Sequence, residues 1–409
     1  MKTRPLRVAM ICSQVPPVYG GAGTQALNLG RELATRGCEI EILTQNQCNV
    51  SRVELRDGIV IRRAPGESLA RALPRRAAEV VRTLTFSAWL VWMLSRRCYS
   101  VYHLHGNYWF GLVPVFFARL RHVPLIVKVT RLGEDDARTV SSKRLGRLGV
   151  GRLYGLPMRS AATVISLNEE IEARHRELLP EVPITNLPNG ADTHALVYSP
   201  DARAAGRARM GIASEDLVYL FVGYLAPHKG IGELLEAWAE LRKPVRPRSW
   251  LVLVGPFDGF YRELDSTAAE LAEHDGHEGV IALSHLPAAA MAEMYSVADV
   301  FVLPTRAEGM PNSLLEALAA GLPSVVTLVP GVREVAEEAE GIVGIEHLDA
   351  VELRVALTRA AALVGSRTSK LPKRLSLCEV ANMYLALYNT VVTSRHASPT
   401  IAASNSGVS

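Results

Sequence analysis

Cysteine is scarce and scattered. Five among 409 residues, Cys12, Cys38, Cys48, Cys98 and Cys378, include no Cys-x-x-Cys pair. That excludes a disulfide framework and a cysteine-built zinc site, and it suits a reducing cytoplasm. Long apolar runs are lacking too. The longest candidate, residues 83–94, falls short of the roughly 18 to 20 residues a membrane-spanning helix needs. The apolar stretch near Met1 is short and without a small-residue cleavage pattern, which argues against a signal peptide. No Asp-x-Asp stands ready to hold a divalent cation. Neither sign of charge dominates, with 45 Lys plus Arg against 41 Asp plus Glu.

What is present is ample material for packed cores. Hydrophobic residues make up 48% and charged residues 21%, which excludes global disorder and rod-like folds. The length predicts two or three domains of roughly 150 residues. The charge is also unevenly spread. Residues 1–180 carry 27 basic and 14 acidic side chains, a net of +13, and the remainder carries 18 and 27, a net of −9. Opposite signs on the two halves predict two bodies with different partners.

Short, partly β-branched apolar runs alternate with helical patterns along the chain. Residues 8–12 read as a strand, 24–36 as a helix stopped by Gly37, and 38–44 as a second strand. This is a βαβ unit with parallel pairing. Further strands are expected at 101–104, 125–129 and 163–166. After the loop Leu187-Pro188-Asn189-Gly190 a second series begins at 217–222, 251–254, 280–283, 300–303 and 324–326, with helices such as 231–241 and 314–320 between strands. The alternation predicts two successive α/β domains with parallel sheets. The small, polar residues 396–409 are expected to be a disordered tail.

Three segments carry chemistry. Gly20, Gly21 and Gly23 stand between the first strand and first helix, where backbone N–H groups and the helix dipole suit an anion; a tight turn is the plainer use of the same glycines. Residues 221–230 repeat the arrangement with Lys229 before a helix, which adds a mobile positive charge suited to a pyrophosphate. Such sites on two domains are expected to face one cleft. In Glu308-Gly309-Met310-Pro311-Asn312-Ser313-Leu314-Leu315-Glu316, Glu308 is placed in the loop after a strand, where open α/β sheets bind ligands. Glu316 is placed in the first turn of the next helix, where Ser313 and Glu316 also match a capping box.

The stretch 298–323 around these two glutamates closely resembles the signature of the group 1 (family 4) retaining glycosyltransferases. Residues 20–23, His103-Leu104-His105-Gly106, Leu187-Pro188-Asn189-Gly190-Ala191-Asp192, 221–230, Leu253-Val254-Gly255 and Gly331-Val332-Arg333-Glu334 follow in that family's order. The resemblance implies a GT-B fold of two Rossmann-like domains. It divides the chain into an acceptor-side domain over 1–186, a nucleotide-sugar domain over 187–375 and a helix at 376–395 crossing back to the first domain. It further implies that Lys229 neutralises the donor diphosphate and that Glu316 accepts hydrogen bonds from the ribose. Glu308, with Gly309, Met310, Pro311 and Asn312, would read the sugar hydroxyls, and Gly20, Gly21 and Gly23 would cap the phosphate. No metal or other cofactor is required on this reading.

Two positions depart from the family pattern. Tyr224 stands in Gly223-Tyr224-Leu225 where an arginine is common, and the acceptor-domain strand reads on to Arg131 where many members carry a catalytic-site histidine. Arg131 is a candidate for the lost charge, and His105, facing a loop, for the lost catalytic-site hydrogen bond.

The expected activity is transfer of a sugar to a glycan or lipid-linked acceptor in surface polysaccharide or glycolipid synthesis. A GT-B epimerase or hydrolase of nucleotide sugars and a silent binding subunit are the alternatives. The segment Arg75, Arg76, Arg82, Trp89, Trp92, Arg96 and Arg97 reads either as a core helix with solvated ends or as an interfacial helix for an anionic membrane surface. The expected location is the cytoplasm, peripherally on the inner membrane face. No recognition motif for nucleic acid accompanies the basic charge.

Overall fold

A computed structural model describes residues 5–18, 20–48, 50–65, 70, 73–130, 153–241, 248–256, 279–284 and 286–396. Arg131, Glu134 to Asp136, Arg144, Arg147, Arg152 and the tail from 397 lie outside these residues. The chain divides into two units, Met1–Pro188 with Cys378–Ser409, and Asn189–Leu377.

The first unit contains an eight-stranded sheet. Its strands are β1 (Arg7–Cys12), β2 (Glu39–Thr44), β3 (Val53–Arg56), β4 (Ile59–Arg63), β5 (Val101–His105), β6 (Leu125–Lys128), β7 (Thr163–Ser166) and β8 (Ile184–Asn186). Their order is β3-β4-β2-β1-β5-β6-β7-β8. Only the β3–β4 pair is antiparallel, a hairpin closed by Asp57 and Gly58 at φ 49° and 80°. Positive φ at both central residues is what a tight right-twisted hairpin needs, and Asp-Gly supplies it.

The inner strands are buried on both faces. In β1 five of six residues are buried, which is why the sequence shows continuous apolar runs there and not alternation. The helix Gly21–Thr35 lies on one face and ends where Gly37, at φ 82°, takes the left-handed turn. The helix Leu377–His396 packs on the same core, placing Val380, Ala381, Tyr384, Tyr388 and Val391 against Val8, Met10, Cys12 and Ile126.

The second unit contains a six-stranded, all-parallel sheet. Its strands are β9 (Leu217–Val222), β10 (Ser249–Val254), β11 (Val280–Leu283), β12 (Val300–Leu303), β13 (Ser324–Thr327) and β14 (Ile342–Ile345). The order β11-β10-β9-β12-β13-β14 reverses direction between β9 and β12. In the first unit the corresponding reversal falls between β1 and β5. Loops diverge at such points and leave a crevice outside the strands' carboxyl ends, where doubly wound sheets bind ligands.

Candidate active site

In the second unit, the loops after β9 and β12 meet at the switch point. Arg306 N–H donates to His228 O at 2.8 Å, and the Arg306 guanidinium donates to Pro227 O at 3.0 Å. Gly230, at φ 68°, sits where a Cβ would stand 1.8 Å from Pro304 O, so only glycine allows the two loops to close on one another. This stitching brings Lys229, at the end of the short turn Pro227–Lys229, onto Glu308, and Lys229 Nζ pairs with Glu308 Oε1. Glu308 is 9% exposed and lies in the loop after β12, as expected from its neighbours Gly309 and Pro311.

Gly309 is fixed from one side by the helix Pro330–Ala336. A Cβ on Gly331 of that helix would stand 1.8 Å from Gly309 O. Asn189, 6% exposed, donates from Nδ2 to Met310 O at 3.0 Å and to Asn312 Oδ1 at 2.9 Å.

Glu316 corrects the capping-box expectation. The helix runs Asn312–Ala319 with Pro311 at its cap and no side-chain cap bond. Ser313 is therefore already inside the helix and Glu316 is its fifth residue, beyond the first turn. The Glu316 carboxylate is free of backbone capping and instead accepts from the Tyr295 hydroxyl at 2.7 Å. Burial pushes its pKa up to about 7, against the lowering effect of that hydrogen bond. Tyr224 stands in the loop after β9 and is 37% exposed. Lys229, Glu308, Gly309, Met310, Pro311, Asn312 and Glu316 thus all belong to one end of the second sheet.

In the first unit, Gly20 caps the helix Gly21–Thr35 with extended backbone, and Gly21 opens it, leaving the first-turn N–H groups at the carboxyl end of β1. Gly23 packs so close to the preceding loop that a Cβ would lie 2.0 Å from Gln14 O. His105 is not loop-facing, as the sequence suggested, but 1% exposed inside a buried polar layer. As strand residues two apart, His103 and His105 share a face, and their ring centroids are 4.1 Å apart. Neither ring nitrogen of His105 has a hydrogen-bond partner among the described residues. Burial holds both histidines well below their usual pKa. The His105 imidazole is enclosed within the first unit.

Sequence reasoning did not single out Lys128, which the register sets beside His105, itself beside Cys12. Burial lowers the Lys128 pKa from 10.5 to about 7. The layer is closed by Tyr384 and Tyr388, whose hydroxyl lies 2.8 Å from His103 Nδ1.

This layer predicts a pH dependence. A lysine whose folded pKa is depressed supports the fold fully only above its unfolded value, and it loses that support as pH falls through its folded value. Replacing Lys128 by Met is therefore expected to raise the melting temperature most at pH 7 and below. The gain shrinks toward pH 10.5, where lysine is neutral in both states. Thermal denaturation of both proteins across pH 6 to 10.5 checks this; a gain independent of pH would place the Lys128 charge outside the folding balance.

Comparison with known proteins gives the family and the fold. Residues 20–190 match the family described as glycosyl transferase 4-like domain, and residues 203–362 match glycosyl transferases group 1. The chain is 28% identical over 362 residues to a D-inositol 3-phosphate glycosyltransferase of Kineococcus radiotolerans, covering 80% of this chain and 79% of that one. It is 29% identical over 357 residues to the protein of the same description from Thermobispora bispora, covering 80% of each. Among solved structures it resembles a sucrose-phosphate synthase from Thermosynechococcus elongatus, with TM-score 0.72, 21% identity and coverage of 95% and 100% of the two chains. The catalytic domain of starch synthase IV from Arabidopsis thaliana, bound to ADP and acarbose, gives TM-score 0.71 at 16% identity, covering 95% of this chain and 100% of that one. The fold is GT-B.

Proposed function

The chain belongs to the group 1 glycosyltransferases, enzymes that use a nucleotide-sugar donor, and from that premise we propose that it transfers a sugar with retention to a glycan or lipid-linked acceptor. The observation that carries the reading is the meeting of Lys229 and Glu308 at the β9–β12 switch point. The lysine supplies charge for the donor diphosphate, and the carboxylate, with the backbone of 309–312, supplies acceptors and donors for the sugar. Glu316, free of capping, is available to the ribose hydroxyls.

In the transfer, the bond from the anomeric carbon to the phosphate oxygen breaks and a bond to the acceptor oxygen forms on the same face. The acceptor's proton passes to the leaving diphosphate. Charge that builds on the diphosphate is met by Lys229 and by N–H groups at helix N-termini. On this reading no metal is required, and chelators leave turnover unchanged.

The relatives' described acceptor is an inositol phosphate, and an acceptor with an anionic group fits the basic first unit. A membrane-borne acceptor is supported by the helix Arg75–Arg96. Within it, Ala77–Arg96 is long and apolar enough to cross a bilayer by length and composition, yet only 28% of that window is buried. Val80, Leu84, Val91 and Trp92 are 47% to 64% exposed and recur at helical spacing on one side. Arg96 lies over the Trp92 ring at 5.1 Å, which suits an interface with anionic headgroups.

The test is an assay of the purified protein with a panel of nucleotide sugars and lipid extracts. Nucleoside diphosphate release that requires acceptor, and product that keeps the donor's anomeric configuration, are expected. Donor consumption without acceptor marks a hydrolase or epimerase, and donor binding without turnover marks a binding subunit.

A further inference from the structure

We propose that Asn189 is a positioning residue: it holds the segment Met310 to Asn312 in the conformation that receives the donor sugar, and it ties that segment to the connectors that lead out of the second unit. The proposal rests on the donor-site reading above. Asn189 lies 121 and 123 residues before its partners, so no local motif links them. Its single amide nitrogen serves both Met310 O and Asn312 Oδ1, and its backbone N–H points to Met310 Sδ at 3.2 Å.

Pro311 supplies no N–H, and Asn312 begins a helix whose first turn has no side-chain cap. Within the segment Leu315 N–H donates to Pro311 O at 3.3 Å, and the Asn189 amide adds a long-range hold on Met310 O and Asn312 Oδ1. Gly331 also closes on Gly309, so the strip is held at Gly309 as well as at Met310 and Asn312.

The connectors are part of the same construction. Asn189 is the first residue of the second unit and Leu377 its last. Two residues beyond Asn189, Ala191 forms a parallel bridge with Ser376. Ala191 N–H donates to Leu375 O at 3.1 Å, and Leu377 N–H donates to Ala191 O at 2.9 Å. The two connecting strands are hydrogen-bonded to one another, and one of them carries the side chain that grips the donor segment. A change in that segment on sugar binding reaches both connectors through one amide.

The experiment compares wild type with Asn189→Ala and the near-isosteric Asn189→Asp, which keeps the volume but cannot donate. Calorimetry measures the affinity for the free nucleoside diphosphate and for the nucleotide sugar. Hydrogen exchange follows peptides covering 187–193 and 374–378. Expected is an unchanged affinity for the diphosphate and a loss of about ten-fold in the extra affinity conferred by the sugar, in both variants alike. Sugar-dependent protection of the 374–378 peptide is expected in wild type and absent from both variants. Equal weakening of both ligands, or full retention of the sugar's contribution by Asn189→Asp, overturns the proposal. A wild type that binds no nucleotide sugar overturns the donor-site reading instead.

Discussion

Replacing Lys229 by Met is expected to lower kcat/KM for the donor by about two to three orders of magnitude, the loss seen when one preorganised partner of a developing oxyanion is removed. Two effects act together. On the proposed reading the diphosphate loses a side-chain cation, and Glu308, only 9% exposed, is left without its ion-pair partner beside an anionic ligand. Breaking an enclosed pair by removing one member is also costly to the fold, so the melting temperature should fall. The double replacement Lys229→Met with Glu308→Gln separates the two consequences: it should restore much of the melting temperature, because no uncompensated charge remains, and none of the turnover. Steady-state assays and thermal denaturation of the three proteins check this. Activity of Lys229→Met within three-fold of wild type would remove Lys229 from the donor site.

What the sequence disclosed, and what it hid, follows from range. Inner strands such as Leu217–Val222 and Val300–Leu303 are buried along nearly their whole length, so their burial is written as a continuous apolar run that a local reading finds. Two edge strands of the first sheet are not. Ile184–Asn186 is only partly buried and Val53–Arg56 mostly exposed, and without an apolar run neither was expected. The Asp57-Gly58 pair was the available sign of the second.

Glu308 was placed by local rules because a proline and a glycine interrupt the chain beside it. Glu316 was misplaced by a local rule, since Ser313 and Glu316 match a capping box but the helix begins two residues earlier, behind Pro311. Asn189 was read as part of the loop before the second series of strands, and its amide contacts, more than a hundred residues away in sequence, have no local signature. Lys128 carried no sign in the sequence that set it apart. Only the register that sets it beside His105, under Tyr384, makes it a buried cation.

Glu308→Gln should separate the sugar from the phosphate. In the wild-type geometry Glu308 engages Lys229, so a diphosphate must compete with a carboxylate for the same ammonium group. The amide keeps the shape and one acceptor oxygen but gives up the charge, and Lys229 is released to the incoming phosphate. Free nucleoside diphosphate is therefore expected to bind as well as to wild type or up to about ten-fold more tightly, the range of one charge-assisted contact. The gain should shrink with added salt as the freed ammonium is screened. Turnover should move the other way, falling by about 10²-fold or more, because on the proposed reading the sugar loses the carboxylate that orients it and that stabilises positive charge developing at the anomeric carbon. Calorimetry with nucleoside diphosphate at two ionic strengths, alongside kcat and KM for the donor, reads both. If diphosphate affinity falls in step with turnover, Glu308 serves the loop's structure and not the sugar, and the division of work between Lys229 and Glu308 fails with it.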